Sequence, residues 1–248
     1  MRGFQFDVKG NWAHFRKPET NNNPLTHDFI TKTALIGMIG AVLGIERKEM
    51  ANLFPQFSED FLYGVCVKNA VRKESWAFTL RYVVDFFQKA PKQMEFLKKP
   101  ENRVALALQN ERSATYFDAF QTAVEKQEAK FTPVLGLHNC PAELSFVSKG
   151  EFNAGSGDFT TKGFIIRKPR TVDNLPSQHS FNSRILYENL ETNKNFTLGL
   201  ERIPTFQDDN FWNKPDYYVE VTYPSEGNQI YANGDYFQFS DKSQWTLI

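Results

Sequence analysis

Three observations along the chain predict an α+β fold. Alternation of period two opens it at Phe4, Phe6 and Val8, and a helical pattern follows at Leu35, Met38, Ile39, Val42 and Leu43. Alternation then returns before a second amphipathic stretch, Tyr116 to Lys130, which a further strand-like run succeeds. The resulting order over residues 1–149 is strand, helix, strand, strand, helix, strand. That is the ferredoxin-like arrangement shared with RNA-recognition folds. Residues 150–248 carry short strand-like runs and read as a β-rich C-terminal subdomain.

The elements are justified in turn. Gly10-Asn11 ends the first strand, and Trp12, His14, Phe15, Arg16 and Lys17 follow as a mixture of ring faces and cations. Residues 18–31 are turn-rich by their Pro and Asn content. Thr31 is placed to cap the first helix, whose Gly37, Gly40 and Gly44 each weaken it by roughly 1 kcal/mol relative to Ala. Such a cost fits a small face laid close against a sheet or a ligand. Tyr63 to Val71 reads as a strand, and Trp76 to Phe86 alternates strictly enough for half of an extended hairpin. Residues 87–100, with Pro91, Pro100 and four interspersed lysines (Lys89, Lys92, Lys98 and Lys99), are unsuited to a central strand. They read either as a basic tip or as a solvated loop, and Arg103 to Gln109 is the returning strand. Residues 150–157 (GEFNAGSG) read as a flexible boundary. Strand-like runs at Phe164–Ile166, Tyr217–Tyr223 and Tyr231–Phe239 lie beyond it, separated by a polar stretch from Lys168 to Lys214.

Composition narrows the function. Aromatic residues make up 15% of the 248 residues, 24 of them Phe, which points to stacking surfaces, buried contacts or both. The formal net charge is +0, against a stand-alone, tightly non-specific nucleic-acid binder. Residues 1–100 hold 15 Lys/Arg against 10 Asp/Glu, leaving 14 against 19 for the remainder. The front half is therefore basic by five charges, a modest basic face that is also within ordinary variation. Cys66 and Cys140 are the only cysteines and read as reduced, buried thiols without zinc spacing. No apolar run approaches a membrane span and no signal peptide is evident, so the expected location is the cytoplasm.

Catalytic motifs have no positive support. The glycines of the first helix lack the G-K-[ST] ending of a phosphate loop, G-x-S-x-G does not occur, and no acidic pair has metal spacing. No cofactor is expected. Of the four histidines, His14 and His27 flank the basic loop and are the best placed for acid–base work.

Three ordered blocks carry a resemblance over residues 4–147. The first is Gly10, Trp12, Ala13, Phe15, Arg16 and Pro18, followed by Thr31 to Gly44. The second is Glu95 to Pro100 with the strand after it. The third runs from Thr132 through Gly136 and Cys140 to Glu143. Together they resemble CRISPR-associated protein five, a RAMP-superfamily subunit of the type I surveillance complex Cascade, and are most similar to its type I-B branch. The resemblance implies a RAMP fold with a thumb hairpin, here near residues 81–110. It implies a non-catalytic role, capping the crRNA 5′ handle, beside a repeated backbone subunit and a large subunit. Target DNA would be met through the complex, and no membrane is involved. Exposed phenylalanines of the C-terminal half are expected at those subunit contacts.

In that setting Arg16, Lys17, Lys32, Arg47 and Lys48 are candidates for phosphate contacts, with Arg81, Lys89 and Lys92 on the hairpin. Trp12, His14, Phe15 and Tyr82 are candidate stacking faces, and Thr31 marks a helix N-terminus that offers backbone donors. Trp12 and Phe15 serve equally well as core residues. Certain relatives, in type I-C systems, cut precursor crRNA with a set in which Lys and His are adjacent. No Lys-His pair occurs here, which counts against the alternative of a metal-independent endoribonuclease. A third reading is a β-rich interaction module without an RNA role.

Overall fold

A computed structural model of the chain shows a mixed α/β, strand-rich molecule. The structure describes residues 1–20, 22–81, 87, 89–167, 184–186, 198–206 and 215–248. β1 (Arg2–Lys9) and the short β2 (Trp12–Ala13) lead through a polar loop to α1 (Lys32–Leu43) and α2 (Arg47–Asp60). β3 (Phe61–Val67), β4 (Lys73–Arg81), β5 (Lys89–Lys98) and β6 (Glu101–Leu108) follow, then a 3-10 turn and α3 (Ala114–Lys126). The remaining strands are β7 (Glu143–Thr161), β8 (Ile165–Ile166), β9 (Arg184–Ile185), β10 (Leu198–Thr205), β11 (Tyr217–Pro224), β12 (Ile230–Phe239) and β13 (Gln244–Trp245).

The main sheet runs β13-β12-β7-β1-β6-β3, with β9 against β12, and its neighbours are antiparallel. Its centre is apolar on both faces, which is why β3 is a continuous buried run, FLYGVCV. One face packs Phe4, Phe6, Val104 and Leu106 against α1, α2 and α3 through Leu35, Ile39, Phe57, Phe117 and Phe120. The other places Leu62, Cys66, Ala105 and Ala107 under Phe152, Phe239, Trp245 and Leu247. Residues from the far end of the chain thus cover the second face. Even Gln5 is buried there, its Nε2 donating to Asp241 Oδ2 at 2.9 Å.

Two smaller sheets attach: β10-β11-β8, and β2-β5-β4, which carries the β4–β5 hairpin. Residues 89–98, expected as a tip or loop, are a strand of that hairpin in full register with β4. Pro91 is accommodated because β2 pairs only with Leu97 and Lys98, so the β5 edge is unpaired at that level. The run expected to return as the hairpin's second strand instead lies in the main sheet as β6. The glycines of α1 also differ in purpose. Gly37 is exposed with nothing near it, Gly40 admits Met50, and Gly44 is a left-handed C-cap at φ 73°. A single small face therefore does not exist.

Residues 150–157, read as a flexible boundary, lie in mid-strand. β7 continues through them, pairing β1 with its first half and β12 with its second. The longest of the other elements that were not expected are α2, which carries Pro55 inside it, and β10, within the stretch read as polar. Phe152, Phe159, Phe164, Phe206 and Phe239 are buried and serve the core.

Candidate nucleic-acid interface

The hairpin presents one aromatic and basic face. Residues directly opposite in an antiparallel pair share a face, and the register sets Glu74 against Phe96, Trp76 against Met94, and Phe78 against Lys92. β2 lays Trp12 beside them, opposite Lys98. Trp12 meets Trp76 edge-on at 4.5 Å between centroids, and Trp76 meets Phe96 at 4.8 Å. The Lys98 ammonium stands 5.9 Å from the Trp12 ring centre. Phe96 anchors the group in the core, while Trp76 and Phe78 remain 37% and 36% exposed. Large rings held open to solvent next to lysines form a surface suited to unpaired bases.

The loop after β2 is a structural hub. Phe15 and His14 are buried, and His14 Nδ1 lies 2.7 Å from the Glu95 carbonyl, so neither ring is offered to a ligand. Burial lowers the pKa of His14, favouring the neutral ring. Gly136 makes this packing possible, because a side chain there would meet the His14 carbonyl at 1.9 Å. Lys17 Nζ reaches Glu201 of β10 at 3.0 Å, and the same carboxylate takes His27 Nδ1 at 3.0 Å and accepts from the Asp28 N–H at 3.2 Å. Burial alone would raise the Glu201 carboxyl, but His27 and Lys17 together hold it down at about 2. Lys73 Nζ bridges Asp28 at 2.7 Å and Glu95 at 3.3 Å, and Tyr223 Oη donates to Asp28 at 2.5 Å. Burial and the neighbouring Glu201 charge raise the Asp28 carboxyl. The network ties the loop, the hairpin and the β10–β11 sheet into one unit.

The other candidates are dispersed. Arg16 is exposed and donates to the Thr20 carbonyl at 3.2 Å. Thr31 caps α1, its Oγ1 accepting from the Ala34 N–H. Lys32, in the first turn, is half-buried with no ion pair among the described residues, and burial lowers its ammonium to about 8. Arg47 and Lys48 are exposed at the start of α2, where the helix dipole disfavours cations. Lys89 and Lys92 lie along β5, Lys92 donating to Asn22 at 3.3 Å, whereas Lys98 and Lys99 are at the hairpin's foot rather than its tip. Tyr82 and the Arg81 side chain fall outside the described residues. Sequence reasoning missed Trp76 and Phe78 as surface rings. The strict alternation from Trp76 was the available signal, but it does not tell which side is covered.

Fold and site define a strand-rich α/β protein, built on a largely antiparallel sheet, that displays an aromatic and basic hairpin. The family model described as CRISPR-associated protein (Cas_Cas5) matches residues 3–151. The chain belongs to that family. No curated protein matches it by sequence. Among solved structures, a CRISPR protein from Archaeoglobus fulgidus is similar at 12% identity and a TM-score of 0.59, covering 99% of this chain and 98% of that one. A chain of a CRISPR RNA-guided surveillance complex is similar at 10% identity and a TM-score of 0.52, covering 97% and 92%. At these identities the likeness is one of fold.

Proposed function

We propose that this chain is the non-catalytic guide-RNA-binding subunit of a type I CRISPR Cascade effector, most similar to the type I-B branch. It caps the crRNA 5′ handle and helps assemble the backbone that recognises target DNA. The observation that carries the reading is the open hairpin face of Trp12, Trp76 and Phe78 flanked by Lys92 and Lys98. On this reading the β4–β5 hairpin is the thumb gripped by the repeated backbone subunit. The order β7-β1-β6-β3, with α1 and α2 before β3 and α3 before β7, supports reading this sheet as the ferredoxin-like core of a RAMP protein. Family membership supports this reading. So does the state of His14 and His27, both buried in the hub and engaged at Nδ1.

The test is binding of a handle RNA by the purified chain at low salt. Trp76→Ala with Phe78→Ala is expected to weaken it by about 1–3 kcal/mol per stacked base, measured at a temperature where a thermal melt shows the variant folded, because Trp76 also packs on Trp12 and Phe96. Wild-type affinity in that variant would sink the proposed face. Cleavage of repeat RNA in EDTA, abolished by His14→Ala or His27→Ala, would replace the non-catalytic reading with an endoribonuclease.

A further inference from the structure

At the foot of the hairpin a cavity of about 440 Å³ opens, lined by Lys68, Asn69, Arg72, Lys98, Lys99 and Glu226. It lies between the β3–β4 link, the β5–β6 turn and the β11–β12 turn. Its cations are of two kinds. Lys68 Nζ is held by Asp7 at 3.0 Å and Glu101 at 2.5 Å, and Lys98 pairs with Glu74. Arg72 and Lys99 have no carboxylate partner among the described residues. Lys99 is moreover fixed in the left-handed region at φ 48°, where an L side chain is disfavoured. Two asparagines hold that turn. The Lys99 N–H donates to the Asn11 carbonyl at 2.8 Å, and the Lys99 carbonyl accepts from Asn69 Nδ2 at 2.6 Å.

The wall of this cavity adjoins the aromatic face, since Lys98 both lines it and stands over Trp12. A ligand that satisfies the whole arrangement carries an anion for Arg72 and Lys99 and a flat ring for the tryptophan. Phosphate suits an arginine fork better than a lone point charge would. An acidic peptide supplies the charge and leaves the ring without a partner.

We propose that this cavity is a nucleotide-phosphate site, with Arg72 and Lys99 as its donors and the base directed toward Trp12. The inference builds on the RNA-binding reading and adds an anchoring point separate from the hairpin face. The phosphate belongs either to the guide RNA or to a free nucleotide, and two arms of one experiment separate these sources. In the first, uridine 5′-monophosphate at about 1 mM, the weak end of specific binding, is titrated into the isotopically labelled full chain. Amide resonances of residues 68–72 and 98–101 are expected to move, and Arg72→Gln with Lys99→Gln to abolish the movement. In the second, a handle RNA is bound across a salt series. The double variant is expected to lose about tenfold in affinity and to flatten the log–log salt slope by about 1.4, two single-strand phosphate contacts. Lys126→Gln with Lys149→Gln, equal in charge, is expected to change neither.

Movement with the nucleotide but unchanged RNA binding keeps the site and assigns it to a free nucleotide. Absence of movement at these amides together with wild-type RNA affinity and slope overturns the proposal. So does hexaglutamate moving them where the nucleotide does not. A wild-type chain that ignores the RNA refutes the handle-binding reading alone, because the nucleotide arm reads the cavity directly.

Discussion

Glu201 shows most clearly what a single residue contributes. It is 3% exposed and takes three partners from a loop far away in sequence. Its carboxyl is held near 2 against an ordinary value of 4.5, so its stabilisation is fully present above pH about 4.5 and is lost as pH falls toward 2. His14, lowered from 6.5, acts in the same direction at milder acidity: its stabilisation is present above that value and fades below it. Removing the Glu201 charge leaves Lys17 and His27 facing a neutral amide. Glu201→Gln is therefore expected to lower stability at neutral pH by about 3 kcal/mol, as for other broken buried pairs. Urea unfolding of wild type and variant at pH 7 and pH 3 checks this, and the gap between them should narrow at the lower pH. Lys32 gives a second residue-scale prediction. With its ammonium near 8, RNA affinity is expected to fall as pH rises from 7 to 9, and Lys32→Ala to remove most of that fall. Fluorescence titration with handle RNA measures it. Arg16 and Lys17 were adjacent cations to a reader of the sequence, yet one is exposed and the other ion-paired. The difference lies in a partner 184 residues away, which local pattern does not encode.

At the scale of elements, patterns were legible where one face is apolar and the other polar. β1, α3, β11 and β12 follow that rule, whereas α1 is apolar on most sides and was legible from its spacing and from Thr31, which caps it as its chemistry suggests. β10 escaped because its strand, LGLERIPT, buries a glutamate where an apolar residue would mark the inner face. The ion network that makes Glu201 tolerable therefore also hid the strand. The hairpin was half legible: its first strand alternates, but Pro91 and the lysines of the second concealed pairing that needs only one neighbour. Thr31→Ala is expected to cost about 0.5–1 kcal/mol of stability, toward the low end for a cap because the bond to the Ala34 N–H is long at 3.4 Å. Thermal melts followed by circular dichroism test it.

At the scale of the whole molecule, a boundary near residue 150 looked natural because glycine and serine cluster there. Pairing on both sides overrides that composition, since β7 has β1 as its partner at one end and β12 at the other. The second face of the main sheet is covered by Phe152, Phe239, Trp245 and Leu247. A fragment ending at residue 149 would expose Leu62, Ala105 and Ala107, and it is expected to be insoluble or molten by heteronuclear NMR. The candidate site was legible as a composition of rings and cations. Its geometry, a hairpin face with a cavity at its foot, depends on register and on turns from three parts of the chain.

The long β7 strand also sets a timetable. Residues 162–229 separate its end from the start of β12, so at ordinary rates of synthesis its second half waits several seconds for a neighbour. During that interval it is an open edge with unpaired backbone donors and acceptors, some 10 residues long by its later pairing with β12. Gly155, Ser156 and Gly157, part of what read as a flexible boundary, place weakly pairing residues along that edge while it waits. A nascent chain is thereby less inclined to recruit a strand from another copy before its own arrives.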